Sequence, residues 1–247
     1  MARVKDNPFS YWIRGSAFDV WAEVSHLPVT EAKPQLVWVD LETTGLDANV
    51  EVTLQIGVIL TDKFGRICRD GAADWLVFDT DNDSSRQKSW TSRLLGMEPF
   101  VRNMHRDSGL TRQIKQACMH PEKDRLHPAQ VAVDMTDWLN MQFDQSEAPA
   151  NIRERVPMSG STPHFDRGFV TQDFPILDEF FHYRVGVDVS ALREQAKLLN
   201  PSVIESQPVK REAHQPIPDL VDSIRLYRHL LQKFLVMDGI NSQEFYA

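Results

Sequence analysis

Apolar positions fall into two regimes along the chain. Between Gln35 and Phe78 they come in short runs of β-formers, and after Ser89 they recur at helical spacing. Gln35-Leu36-Val37-Trp38-Val39 ends at Asp40 and reads as a strand, with Thr43-Thr44-Gly45 as a turn beyond it. Val52 to Thr61 is almost continuously apolar and predicts a second strand. Asp62-Lys63-Phe64-Gly65 makes a tight turn, and Ile67 to Phe78 predicts a third strand, closing an antiparallel meander. Asp79 to Ser89 is polar and aperiodic, hence a loop. Helical periodicity covers 93–105, 110–117, 128–143, 166–170, 175–181, 191–199 and about 218–236. In the last, Leu220, Ile224, Tyr227, Leu230, Leu231 and Phe234 share a face. Short strands at 155–159 and 186–189 bring the number to five, and 200–213 reads as a loop with two prolines. Strands first, then helices with two further strands, indicate an α/β domain around a central sheet, at 35–240. Ahead of it, residues 1–34 carry Phe9, Tyr11, Trp12, Phe18, Trp21 and Leu27 and read as a helical N-terminal extension packed on the body.

Composition narrows the class. The chain has 247 residues and is 42% hydrophobic, enough for one substantial core. No apolar run approaches the roughly 18–20 residues of a membrane span. The opening MARVKDNPFSYWIRG has no continuous apolar segment of a secretory signal, and Asp6, Asp19 and Glu23 argue against a transit peptide. Cys68 and Cys118 are far apart without metal-ligand spacing, which suits reduced thiols in a cytoplasmic protein. The net charge of −8 and the lack of a basic stripe point away from a protein that tracks long nucleic acid. A nucleic-acid substrate of this chain is therefore expected to be short and held at its end.

Candidate chemistry begins at Asp40-Leu41-Glu42. Residues two apart on a strand share a face, so both carboxylates converge on one hard cation such as Mg²⁺ or Mn²⁺. Taken alone, the pair is more often a solvated strand end. Asp166 follows a short strand at the start of a helix. Asp219 stands in the first turn of the last helix, with His214 on the loop before it. A lone loop histidine is usually a surface residue; three well-placed carboxylates reverse those odds.

Asp40-x-Glu42 within VWVDLETTGLD, Asp166 in the middle and His214-x4-Asp219 near the end resemble the ordered pattern of the DEDDh 3′→5′ exonucleases. Within that superfamily the chain is similar to the oligoribonucleases, on WVDLETTGLD (38–47), HRDSGL (105–110), FFHYRVGVDVSALRE (180–194) and HQPIPDLVDSIRLYR (214–228). The resemblance implies an RNase H-like three-layer fold with a mixed five-stranded sheet flanked by helices. It implies that Asp40, Glu42, Asp166 and Asp219 hold two divalent cations, Mg²⁺ or Mn²⁺, and that His214 is the general base. Imidazole is the side chain that accepts a proton near neutral pH. By the same resemblance Leu46 wedges against the terminal bases, and Phe100 stacks where the family places a tryptophan. His105, Thr162, Tyr183, Arg184 and Ser190 surround the far phosphate of a short RNA. Tyr183 comes from the second subunit of a homodimer.

The chain departs from that pattern in places. SGSTPHFD stands before and at Asp166 where GNSIGQD is typical, Gln55 stands where glutamate is common, and one extra residue separates Tyr183 from Asp188. The leading expectation is hydrolysis of short oligoribonucleotides to nucleoside 5′-monophosphates. The alternatives are a 3′→5′ exonuclease on single-stranded DNA or longer RNA, and a non-catalytic nucleic-acid-binding module. The last would be expected to have lost a carboxylate or the histidine.

Overall fold

The computed structural model describes residues 20–79, 89–120, 126–184, 186–211 and 213–235. Phe9, Tyr11, Trp12, Phe18 and the polar stretch 80–88 lie outside the described residues. The elements run α1 (Val20–Val24), β1 (Val29–Thr30), β2 (Leu36–Thr43), β3 (Thr53–Thr61), β4 (Ile67–Leu76), α2 (Trp90–Gly96), α3 (Pro99–Asp107), α4 (Leu110–Cys118) and α5 (Pro128–Phe143). They continue with β5 (Met158–Ser159), α6 (Pro163–Asp173), α7 (Pro175–Asp178), α8 (Val189–Leu199), α9 (Pro201–Glu205) and α10 (Pro216–Lys233). The strand order is β1-β4-β3-β2-β5. The central three are antiparallel, and β1 and β5 add in parallel at the edges.

Both faces of this sheet are covered, which is why β3 reads as a nearly unbroken apolar run and is buried along its whole length. One face carries Val37, Val39, Ile56 and Val58 against Trp138 and Leu139 of α5 and Phe169 and Val170 of α6. The other carries Leu36, Trp38 and Ile59 against Val20 and Val24 of α1, Ala196 of α8, and Leu220, Ile224 and Leu230 of α10. Trp38 meets Tyr227 edge-on at 5.2 Å, and its indole NH donates to Thr61 Oγ1 at 2.8 Å. Asp173, at the end of α6, accepts from the backbone NH and hydroxyl of Thr53 at 3.0 and 2.9 Å, clamping α6 to β3.

Four expectations need correction. The segment 186–189 forms no strand. Only an isolated bridge joins Gly160 and Asp188, because Asp188 turns the chain straight into α8 by capping Ser190 and Ala191. The fifth strand is instead Val29–Thr30, beside β4. The strand expected at 155–159 shrinks to Met158–Ser159. The helix expected over 93–105 is two, since Pro99 lacks an NH and starts a new one. The loop at 200–213 contains α9.

Candidate active site

Alternation along β2 puts Asp40 and Glu42 on the same face as Leu36 and Trp38, toward α10. Gly57 is the register partner of Asp40 on β3. A β-carbon there would lie 2.5 Å from Cβ of Pro216, so the glycine lets the first turn of α10 rest on the sheet beside Asp40. That turn carries Asp219. Carboxylate oxygens of Asp40, Glu42 and Asp219 all lie within 4.8 Å of one another. Asp166 is buried in the first turn of α6. Pairing of β2 with β5 stops at Trp38 and Ser159, so the backbone NH of Leu41 is left to bond the Asp166 carboxyl.

The electrostatics follow from this crowding. Burial, then repulsion from Asp166, Glu42 and Asp219, raises the pKa of Asp40 well above the usual carboxylate range. Burial, with Asp219 and Asp166, pushes Glu42 up to about 8. Burial pushes Asp166 up to about 7 against the backbone NH groups of Asp166 and Leu41, and raises Asp219 as well. The ammonium of Lys210, on the loop leading to His214, opposes the rise at Asp40, Glu42 and Asp219. Asp219 Oδ1 is buried without a hydrogen-bond partner. Oxygen-only donors at this spacing, one orphaned and all held back from ionising, fit a hard divalent cation, which would relieve each of these penalties.

His214 is exposed on the loop before α10, with a φ of 49°. It lies close enough to Asp219 and His105 for its charge to bear on both. His105 is fully buried on α3. Its Nε2–H donates to the Thr43 carbonyl at 2.8 Å, and Nδ1 stands 3.6 Å from Glu42 Oε2. Its place is behind Glu42.

Leu46 and Phe100 are 83% and 76% exposed, so neither is held in the core. Thr162 and Ser190 do come together: Ser190 Oγ lies 3.2 Å from Thr162 Oγ1 and 2.8 Å from Ser161 Oγ. Tyr183 is 54% exposed, stacked on His182 with the Arg184 guanidinium 5.4 Å from its ring centre. Tyr183 and Arg184 line a cavity of about 250 Å³ with His164, Arg167, His182 and Asp188.

Sequence reasoning missed Gly57, Lys210, Ser161 and Asp188. It also missed Asp74, a buried carboxyl on the Glu42 face of the sheet that Gln55 binds at 2.7 Å and that burial pushes up to about 6. Only Asp188 left a trace, as an acidic residue just before a helical pattern.

No family model matches the chain. An oligoribonuclease of Corynebacterium glutamicum is 33% identical over 204 residues, which cover 83% of this chain and 81% of that protein. One of Corynebacterium diphtheriae is 33% identical, covering 83% and 85%, and one of Mycobacterium ulcerans is 30% identical over 216 residues, covering 87% and 88%. Among solved structures, exonuclease I of Methylocaldum szegediense aligns with a TM-score of 0.52 at 14% identity over 81% of this chain, and a zinc-bound complex of E. coli exonuclease I with single-stranded DNA with 0.53 at 12% over 83%. The chain spans only 41% and 42% of those two. They share its RNase H-like fold of a mixed sheet flanked by helices. Identity at this level across nearly the whole of both partners, with the four acidic positions and His214 in one neighbourhood, places the chain in the oligoribonuclease family.

Proposed function

We propose that the protein is a 3′→5′ exoribonuclease that hydrolyses short oligoribonucleotides to nucleoside 5′-monophosphates. The observation that carries this reading is the convergence of Asp40, Glu42 and Asp219 to within 4.8 Å, with Asp166 close enough to repel Asp40 and Glu42 and an orphaned buried oxygen on Asp219. These four carboxylates would hold two divalent cations, Mg²⁺ or Mn²⁺. When bound, such ions polarise the scissile phosphate and acidify water. His214, exposed on the loop just ahead of Asp219, takes the proton of the attacking water. His105 holds Glu42 from behind through its position between Thr43 and the carboxylate. Leu46 and Phe100 present apolar surface to the terminal bases, each stacked base contributing roughly 1–3 kcal/mol. Thr162, Ser190, Arg184 and Tyr183 close the far end of the substrate, with Tyr183 reaching the partner's site in a homodimer. Residues 35–240 make up the nuclease domain and 1–34 an extension that lends its sheet β1 and its core α1, and the protein works in the cytoplasm.

The test is a product time course on end-labelled RNA and DNA of two, five and twenty nucleotides, with Mn²⁺, Mg²⁺ or excess EDTA. Fast metal-dependent loss of the RNA dinucleotide, slow attack on the twenty-mers and no activity in EDTA support the reading. Uniform shortening of the twenty-mers with dinucleotides left over replaces it with a general 3′→5′ exonuclease. Preference for DNA at every length replaces the RNA assignment.

A further inference from the structure

The loop that carries His214 is held at both ends. On the downstream side Gln215 is buried; its side-chain amide donates to the Ser108 carbonyl at 2.7 Å and its backbone NH to Asp219 Oδ2 at 3.3 Å. On the upstream side Arg211 donates four hydrogen bonds. Its backbone NH reaches Asp222 Oδ2 at 2.7 Å, Nε reaches Asp222 Oδ1 at 3.1 Å, and Nη2 reaches the Pro218 carbonyl at 3.1 Å. These three stay within the loop and α10. The fourth runs from Nη1 to Glu23 Oε2 at 2.6 Å, on a residue 188 positions earlier in the chain.

Glu23 lies on α1, which Val20, Val24 and the following Leu27 seat firmly against the α10 face of the sheet. The guanidinium of Arg211 is therefore gripped along two edges by two carboxylates and capped by a carbonyl. A planar fork fixed at all three nitrogens has no free rotation left. Asp222 also faces Arg225 at 3.7 Å, so it serves two cations, whereas Glu23 directs its charge at Arg211. Removing Glu23 frees the outer edge of the fork and loosens the chain three residues before His214.

We propose that Glu23 is a positioning residue for hydrolysis: through Arg211 it fixes the loop on which His214 stands, making the N-terminal segment a working part of the catalytic apparatus. This rests on His214 acting as the base. A displacement of about 1 Å at a catalytic group costs on the order of 100-fold in rate, so partial loosening should cost roughly tenfold.

The test compares full-length wild type, Glu23→Ala and Arg211→Lys on an RNA pentamer with Mn²⁺. In Glu23→Ala, kcat should fall roughly tenfold with KM unchanged, and Mn²⁺ affinity measured by calorimetry without RNA should stay within about twofold. Arg211→Lys, which keeps the charge but loses the fork that reaches Asp222, Pro218 and Glu23 together, should lose at least as much kcat as Glu23→Ala, and a smaller loss overturns the tether. In a His214→Ala background under single-turnover conditions, adding Glu23→Ala should cost almost nothing more, because both act on one group. An unchanged kcat overturns the proposal, as does an equal loss in the His214→Ala background or a parallel loss of Mn²⁺ affinity. Amide hydrogen exchange at 213–219 is read independently of activity. It should accelerate in Glu23→Ala, and unchanged exchange overturns the tether. Accelerated exchange in a wild-type background that hydrolyses no RNA would instead leave the tether standing and remove the nuclease reading.

Discussion

The backbone at His214 lies in the left-handed region, where a β-carbon is disfavoured. Chain strain of this kind persists where surrounding contacts over-determine it, and Arg211 and Gln215 supply them here. Alanine keeps the β-carbon and hence the same backbone penalty, so His214→Ala isolates the imidazole. It should retain Mn²⁺ affinity in calorimetry and lose roughly 10²–10⁴-fold in kcat. A matching loss of metal affinity would sink the base assignment. At this scale the sequence was most informative about the groups with fixed spacing. Asp40 and Glu42 had to share a face, and Asp219 had to fall in a first helical turn. It was least informative about His105. Whether a histidine on an amphipathic helix faces solvent or a neighbouring carboxylate depends on how α3 docks, and no local pattern encodes that.

Between elements, Gly57 sets the height of α10 above the sheet. Its absent β-carbon lets Pro216 approach, which keeps Asp219 next to Asp40. Gly57→Ala should lift the start of α10, at a cost of about 1–3 kcal/mol from overpacking. Activity should fall further than that stability loss implies, because the carboxylates separate. Thermal melts and kcat measured together check this, and a stable variant with full activity would exclude it. Strand β3 was legible because burial on both faces leaves a run of apolar residues that no solvated element would carry. The segment 186–189 misled for a related reason. Val187 and Val189 make only the one bridge to Gly160 and belong to the apolar cluster under α10, and the capping demand of Asp188 turned the chain into α8 at once. The two-residue β1 was invisible, since pairing so short leaves no period to read.

Across the whole molecule, the acidic cluster ties stability to pH and to cations. Burial with neighbouring carboxylates raises Glu42 to about 8 and burial raises Asp166 to about 7, from ordinary values of 4.5 and 3.8. A carboxyl whose pKa is raised by folding favours the protonated folded state. The stability it contributes is fully present below its ordinary value and is lost as pH climbs through the raised one. Without metal, Tm should therefore fall from about pH 4 to about pH 8 on account of these groups. Mn²⁺ should raise Tm more at the upper end, since binding must displace fewer protons there. Melts in EDTA and in Mn²⁺ across this range test it, and a larger Mn²⁺ shift at the acidic end would refute it.

The carboxylates come from β2, α6 and α10, far apart in the chain, and the last arrives only when α10 docks on Gly57. During synthesis the meander can form long before its final helix leaves the ribosome. A nascent chain in that condition has Asp40 and Glu42 but no complete cage, so it remains catalytically silent beside its own messenger RNA. Uptake of a divalent cation by the completed cluster would then report the closing step of folding, and a refolding experiment followed by Mn²⁺ titration would time that step directly.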